Sequence, residues 1–188
     1  MTSELPWYAE LREKWKPEHV RLLLVAESAP DDGGIEYRRW FFYSERLGAD
    51  NLFRGVVNAL YGTTKADLAL TGKRPWLERL RSDGVFLIDL VPFPINKLGS
   101  PAKSAVQREN VPGCVERAKA LRPDGIIVIK KDVFSLLDGP LRAASLPLLN
   151  YHGISFPLGN TRAEFVRDFR TAAEPLDLLQ LPTGIPSE

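Results

Sequence analysis

Three stretches of strand length are almost unbroken in apolar residues: residues 20–26 (VRLLLVA), 85–91 (VFLIDLV) and 125–129 (GIIVI). A half-exposed strand alternates apolar and polar side chains. A continuous Val, Ile and Leu run needs cover on both faces, which a parallel sheet between helices supplies. A fourth run, residues 146–150 (LPLLN), is weaker, because Pro147 suits a sheet edge or a strand start. Helical patterns separate the runs. Asn51–Tyr61 carries Leu52, Phe53, Val56, Val57 and Leu60 on one stripe, and Trp76, Leu77 and Leu80 follow Pro75 at a first turn. Val115, Ala118 and Leu121 mark another helix, closed by residues 122–125 (RPDG). Residues 132–137 read as a short helix stopped by Gly139-Pro140, and residues 161–173 as a helix with Thr161 and Glu164 spaced as a capping box. Alternation of this kind implies right-handed crossovers and a parallel, doubly covered sheet. The expected fold class is α/β, one three-layer α/β/α domain over residues 1–188 with four parallel strands and a loose tail at 174–188.

Two segments without periodicity, residues 27–50 and 92–108, follow the first and second strands. Long irregular loops inside a compact domain are usually functional, and open α/β sheets bind ligands where strands end. The chain of 188 residues suits one domain, and 44% hydrophobic with 26% charged residues is ordinary for a globular protein. No apolar run approaches the ~18–20 residues of a membrane helix, and residues 1–10 are mixed and acidic, unlike a secretory leader. A cytoplasmic protein without a membrane partner is expected. Cys114 is the only cysteine, which excludes an internal disulfide or a cysteine-held zinc or iron–sulfur cluster, and His19 and His152 are too few for a histidine metal site. No metal and no cofactor are expected. A formal net charge of +1 neither demands nor excludes a phosphate-rich partner, and composition leaves the oligomeric state open.

The residues able to carry chemistry sit at the strand ends. Glu27 leaves the first strand and fits either a general base, or support for a developing cation, or a loop cap. Residues 37–43 (YRRWFFY) pair a dense aromatic cluster with Arg38 and Arg39. Aromatics beside cations hold single-stranded or extruded nucleotides, and equally plug the space beneath a loop. Asp89 places a charge inside an apolar strand, costly unless it is paired or at the mouth of a site. His152 opens a Gly- and Pro-shaped loop that ends at a helix start, where an anion is favoured. No phosphate-binding Gly–Lys loop, G-x-S-x-G elbow or dinucleotide fingerprint is present.

The order of these pieces resembles the uracil-DNA glycosylase superfamily, over residues 20–170 or so. The matching stretches are residues 25–30 (VAESAP), 40–42 (WFF), 87–92 (LIDLVP) and 152–162. The resemblance implies a sheet in spatial order 2-1-3-4, with Glu27 as the acid of the first motif and Phe42 or Phe41 as the aromatic that stacks on an extruded base. It puts Asp89 where the family has a base-reading asparagine. An ionised aspartate only accepts hydrogen bonds, so it suits a donor-rich edge such as the cytosine amino group. His152 takes the place of the final histidine, five residues before Pro157 and thus further off than in the family loop. Leu158 matches the apolar wedge that fills a vacated stack. The implied activity is excision of a damaged or deaminated base by N-glycosidic hydrolysis, without an iron–sulfur cluster, on DNA that is single-stranded or has an extruded base. Arg38, Arg39, Lys97, Arg162 and Arg167 would meet the DNA as a basic rim beside Leu158, unless those cations pair with carboxylates such as Glu36, Glu45 and Glu164. Two other functions fit the same residues: a non-catalytic nucleic-acid binder, and a small-molecule hydrolase using Glu27 and Asp89.

Overall fold

The computed structural model describes residues 6–39 and 41–179. The elements in chain order are α1 (Pro6–Lys14), β1 (Leu22–Ser28), α2 (Asn51–Tyr61), α3 (Lys65–Thr71), α4 (Arg74–Ser82), β2 (Val85–Val91), α5 (Ser100–Leu121), β3 (Gly125–Val128), α6 (Lys131–Ala143) and α7 (Arg162–Ala173). The apolar runs make the sheet, and it is parallel throughout in the order β2-β1-β3. Leu22 pairs with Val85 on one side and with Gly125 on the other. In the central strand Leu22 to Val25 are fully buried, as both-face cover requires. Helices flank the sheet: α5 packs on α6 and β2, while α7 packs on α2 and β3.

Among the described residues the sheet has three strands rather than four. Residues 146–150 touch β3 only through an isolated parallel bridge, Ile126 to Leu148, with a second bridge from Ile129 to Ile154 further on. The cause lies in two residues. Pro147 can accept, from Ile126 N–H at 2.8 Å, but has no N–H to give. Asn150 then takes the place of the next peptide. Its Oδ1 accepts from Val128 N–H at 3.0 Å, and its Nδ2 donates to the Val128 carbonyl at 3.1 Å. A buried side-chain amide therefore satisfies the edge of β3 where a strand backbone was expected.

Several helices differ from the sequence pattern. α5 starts at Ser100, so much of the 92–108 segment is helical. Its first half carries little apolar periodicity because its buried contact there is Gln107, a polar residue. α6 continues through Gly139-Pro140, since Val133, Leu137 and Leu141 form one fully buried stripe across that point. Burial of these three side chains, at about 1.5–3 kcal/mol each, outweighs the roughly 3 kcal/mol that a proline costs inside a helix. At α7 the expected capping box does not form. The Thr161 hydroxyl donates instead to the Phe156 carbonyl at 2.6 Å, and Glu164 accepts from Ser155 at 2.8 Å. α1 and α3 were not anticipated, although Thr64 and Asp67 form a capping box legible in the sequence. The expected loose tail begins as a packed segment. Arg21 donates to the Leu176 carbonyl at 2.8 Å and Leu178 is buried, while residues 180–188 lie outside the described residues. Among the described residues no helix is long and apolar enough to cross a membrane.

Candidate functional site

Register brings the acidic residues together. Ala26 of β1 lies beside Asp89 of β2, so Glu27 and Asp89 occupy neighbouring positions at the carboxyl ends of adjacent parallel strands. Both line a cleft of about 340 Å³, with Tyr8, Phe41, Phe42 and Lys130 also in its wall. Convergence of strand-end residues in this way follows from the geometry of an open parallel sheet.

Glu27 belongs to β1 itself, not to the loop beyond, with a side chain 19% exposed. Lys103 Nζ approaches it at 2.7 Å, Lys130 Nζ at 2.8 Å and Gln107 Nε2 at 2.9 Å, and each closest contact is to Oε1. Two lysines and an amide thus hold one oxygen of the carboxylate. Charge-assisted bonds of this kind fix orientation as well as adding energy. Lys130 is itself constrained. Its φ of 83° is unusual for a residue with a side chain, a conformation that costs on the order of 1–3 kcal/mol. Its N–H donates to the Ile154 carbonyl at 2.9 Å, which helps hold it there. Burial lowers the affinity of the Lys130 ammonium for its proton, but the Glu27 and Asp132 carboxylates outweigh that and raise its pKa above the usual lysine value.

Asp89 is 4% exposed and accepts a hydrogen bond from the Tyr8 hydroxyl. Burial, then the Asp89 charge, push the Tyr8 phenol well above its ordinary pKa, so it stays a donor to the carboxylate. Arg117 braces the strand at this point, donating to the Asp89 carbonyl at 2.7 Å and the Leu90 carbonyl at 3.0 Å. The aromatic wall is built by edge and tilted ring contacts. The Phe41 ring lies 4.5 Å from Tyr8 and 5.1 Å from Trp7, while Phe42 packs on Phe53 at 5.6 Å. Trp40 lies outside the described residues. Behind the wall Lys73, 1% exposed, donates from Nζ to the Phe41 carbonyl and to Asp50 Oδ2, both at 2.8 Å. Asp50 also caps α2 by accepting from Phe53 N–H at 3.0 Å.

The other sequence-derived positions fall elsewhere. The His152 side chain is 70% exposed, with Nε2 3.8 Å from Asp168 Oδ2, and it does not line the cleft. Leu158 is 59% exposed, also outside the cleft. The rim cations are largely neutralised, though by aspartates rather than by Glu36, Glu45 and Glu164. Arg39 meets Asp32 at 2.8 Å, Lys97 meets Asp31 at 2.7 Å and Arg167 meets Asp168 at 2.9 Å. Arg38 lies over the Tyr37 ring at 5.8 Å. Arg162 differs: its partner is the neutral Asn51 side chain at 3.1 Å.

Tyr8, Lys103, Gln107 and Lys130 belong to the site and do not stand out in the sequence reading. For Lys130 a signal existed, namely a lysine directly after an apolar strand that ends on the ligand-binding side of the sheet. For Tyr8 there was none, because it reaches Asp89 across 81 positions of the chain. Among the described residues no group of three or more His, Cys, Asp or Glu is placed to hold a metal ion. No family profile, curated protein or solved structure matches this chain.

Proposed function

We propose that the cleft at the carboxyl ends of β1 and β2 takes a base extruded from DNA, and that the chain hydrolyses its N-glycosidic bond, as the resemblance to the uracil-DNA glycosylase superfamily implies. The observation that carries this reading is that Glu27, Phe41, Phe42 and Asp89 line one cleft of about 340 Å³, a volume in the range of small-ligand sites. In this reading the flanking helices form the outer layers of a three-layer α/β/α domain. Phe41 and Phe42 offer ring surface to the base. Asp89, already holding the Tyr8 proton donor, accepts from a donor on the base edge, a ring N–H of uracil or hypoxanthine or the exocyclic amino group of cytosine.

In the reaction the bond between C1′ and the base nitrogen breaks, its electron pair leaves with the base, and a water oxygen bonds to C1′. Positive charge builds on the sugar and negative charge on the base. Glu27, oriented through Oε1 by Lys103, Lys130 and Gln107, presents Oε2 to the sugar and to the water, whose proton it accepts. The Lys130 ammonium, held protonated by its two carboxylates, stabilises the departing base.

Single-turnover cleavage of oligonucleotides carrying uracil, hypoxanthine or a mismatched cytosine tests the proposal. Wild type should cleave at least one, and Glu27→Gln should slow it by roughly 10²–10⁴-fold while leaving binding intact. The clamp on Glu27 also fits a non-catalytic nucleic-acid binder, which would bind these oligonucleotides without cleaving them. Absence of both binding and cleavage would leave a small-molecule hydrolase as the remaining reading.

A further inference from the structure

A second cleft, of about 580 Å³, opens between α2, α3 and the start of α7. Arg54, Lys65 and Arg162 line it together, and no aspartate or glutamate does. It adjoins the first cleft across the start of α2, since Asp50 and Leu52 face one and Asn51 the other.

The three cations are without ion-pair partners among the described residues. Arg54 gives one bond to the Gly48 carbonyl at 3.0 Å, Arg162 one to Asn51, and Lys65 is exposed on the first turn of α3. Each guanidinium carries five N–H donors, so most of that capacity is unspent. The carboxylates nearest in sequence are committed elsewhere. Asp50 is held by Lys73 and by the Phe53 N–H, and Asp67 by the Thr64 N–H and hydroxyl, both at 2.7 Å. A second, independent observation points the same way. Thr63, 4% exposed, belongs to this wall, and its hydroxyl, itself shielded from solvent, has no hydrogen-bond partner among the described residues. Buried polar groups without partners are rare in folded proteins, and rotation of the Thr63 side chain would let a bound acceptor satisfy this one. Three unneutralised cations confined in a concave surface focus a positive potential there.

We infer that this cleft seats a phosphate group, with Arg54 and Arg162 as the planar donors, Lys65 as the point charge and the Thr63–Thr64 segment as its wall. Two guanidiniums suit the geometry of a tetrahedral oxyanion better than lysines alone. The phosphate can come from a free ion or mononucleotide, or from a phosphodiester of single-stranded DNA. The site stands on its own residues and does not require base excision in the neighbouring cleft.

The test uses the full chain, ¹⁵N-labelled, with inorganic phosphate titrated against chloride at matched ionic strength. Amide shifts at Asn51, Thr63, Thr64 and Lys65, specific to phosphate and lost in Arg54→Gln/Lys65→Gln, are expected. A single-stranded 12-mer is then titrated by anisotropy at rising salt. If the source is a phosphodiester, the double variant weakens binding by about tenfold or more and flattens the salt slope by roughly 0.7, the share of one phosphate contact. Lys119→Gln, which removes a cation already paired with Glu116, should change little. If the source is a free phosphate, phosphate shifts the amides while the 12-mer binds both proteins alike. Shifts that chloride reproduces, or no response at these amides to either probe, overturn the site. Cleavage by Glu27→Gln is read separately, so a phosphate-binding protein that excises no base refutes only the base-excision reading.

Discussion

Replacing Lys73 by methionine asks what holds the aromatic wall of the first cleft. Methionine keeps most of the apolar stem, so the substitution removes the ammonium with little change in packing. Two acceptors lose their donor: Asp50 Oδ2 and the Phe41 carbonyl, each 2.8 Å from Nζ. Stripping the partner from a buried charge costs about 3–5 kcal/mol, and an orphaned buried carbonyl adds about 1 kcal/mol. Against this stands relief of the lysine's own burial, which pushes its pKa below the usual range even though Asp50 pulls it part of the way back. The net expectation is a loss of about 4 kcal/mol, or on the order of 10 °C in Tm for a chain of this size. The sign with pH is also set. A lysine depressed in the folded state binds its proton more tightly when unfolded, so its contribution grows as pH climbs toward 10.5. The difference between wild type and Lys73→Met should therefore widen over that range. Urea denaturation followed by tryptophan fluorescence measures all of this, with Asp50→Asn/Lys73→Met as the companion. The double variant keeps an amide oxygen able to cap Phe53 and leaves no buried charge, so it should recover at least about 2 kcal/mol of the single variant's loss. A single variant within about 1 kcal/mol of wild type, or a double variant no better than the single, would refute the account of a charge pair bracing the wall.

Asn150→Ala should cost about 3 kcal/mol by leaving the Val128 N–H and carbonyl unpaired; amide exchange at Val128 should quicken, and unchanged exchange would show that the side chain does not complete the sheet edge. Gly55→Ala would place a Cβ 2.8 Å from Phe165 Cε1 and 2.9 Å from Pro157 Cβ, so overpacking of about 1–3 kcal/mol should exceed the gain in helix propensity; a stabilised variant in thermal melts contradicts this. Asp32 is held below the usual carboxylate pKa, chiefly by Arg39 and then by the Gly34 N–H. Its stabilising contribution is therefore present above about pH 4 and lost as pH falls through the lowered folded value. Asp32→Asn should flatten that part of the acid limb, and a variant with the wild-type acid profile would exclude the Arg39 tether.

Local pattern was enough for what depends on near neighbours. Val85–Val91 and Asn51–Tyr61 are the observed bounds of β2 and α2, because an unbroken apolar run and a 3.6-residue stripe are periodicities that burial imposes along one segment. The positions of Glu27 and Asp89 at strand ends follow from the same pattern, and parallel pairing then sets Asp89 beside Ala26, one residue from Glu27. Whatever depended on a choice among distant partners was settled only by packing. Residues 146–150 have the composition of a strand, yet the Asn150 amide takes the hydrogen bonds of Val128, and Pro147 interrupts the backbone donors. Arg39 and Lys97 look like free cations until the loop folds Asp32 and Asp31 onto them, while Arg54 and Lys65, unremarked in the sequence, are left unneutralised around one cleft. Tyr8 reaches Asp89 and three side chains converge on Glu27 because close packing brings remote segments within bonding distance. Hydrophobic periodicity states which face of a segment is buried; it carries no term for which polar group will be waiting there.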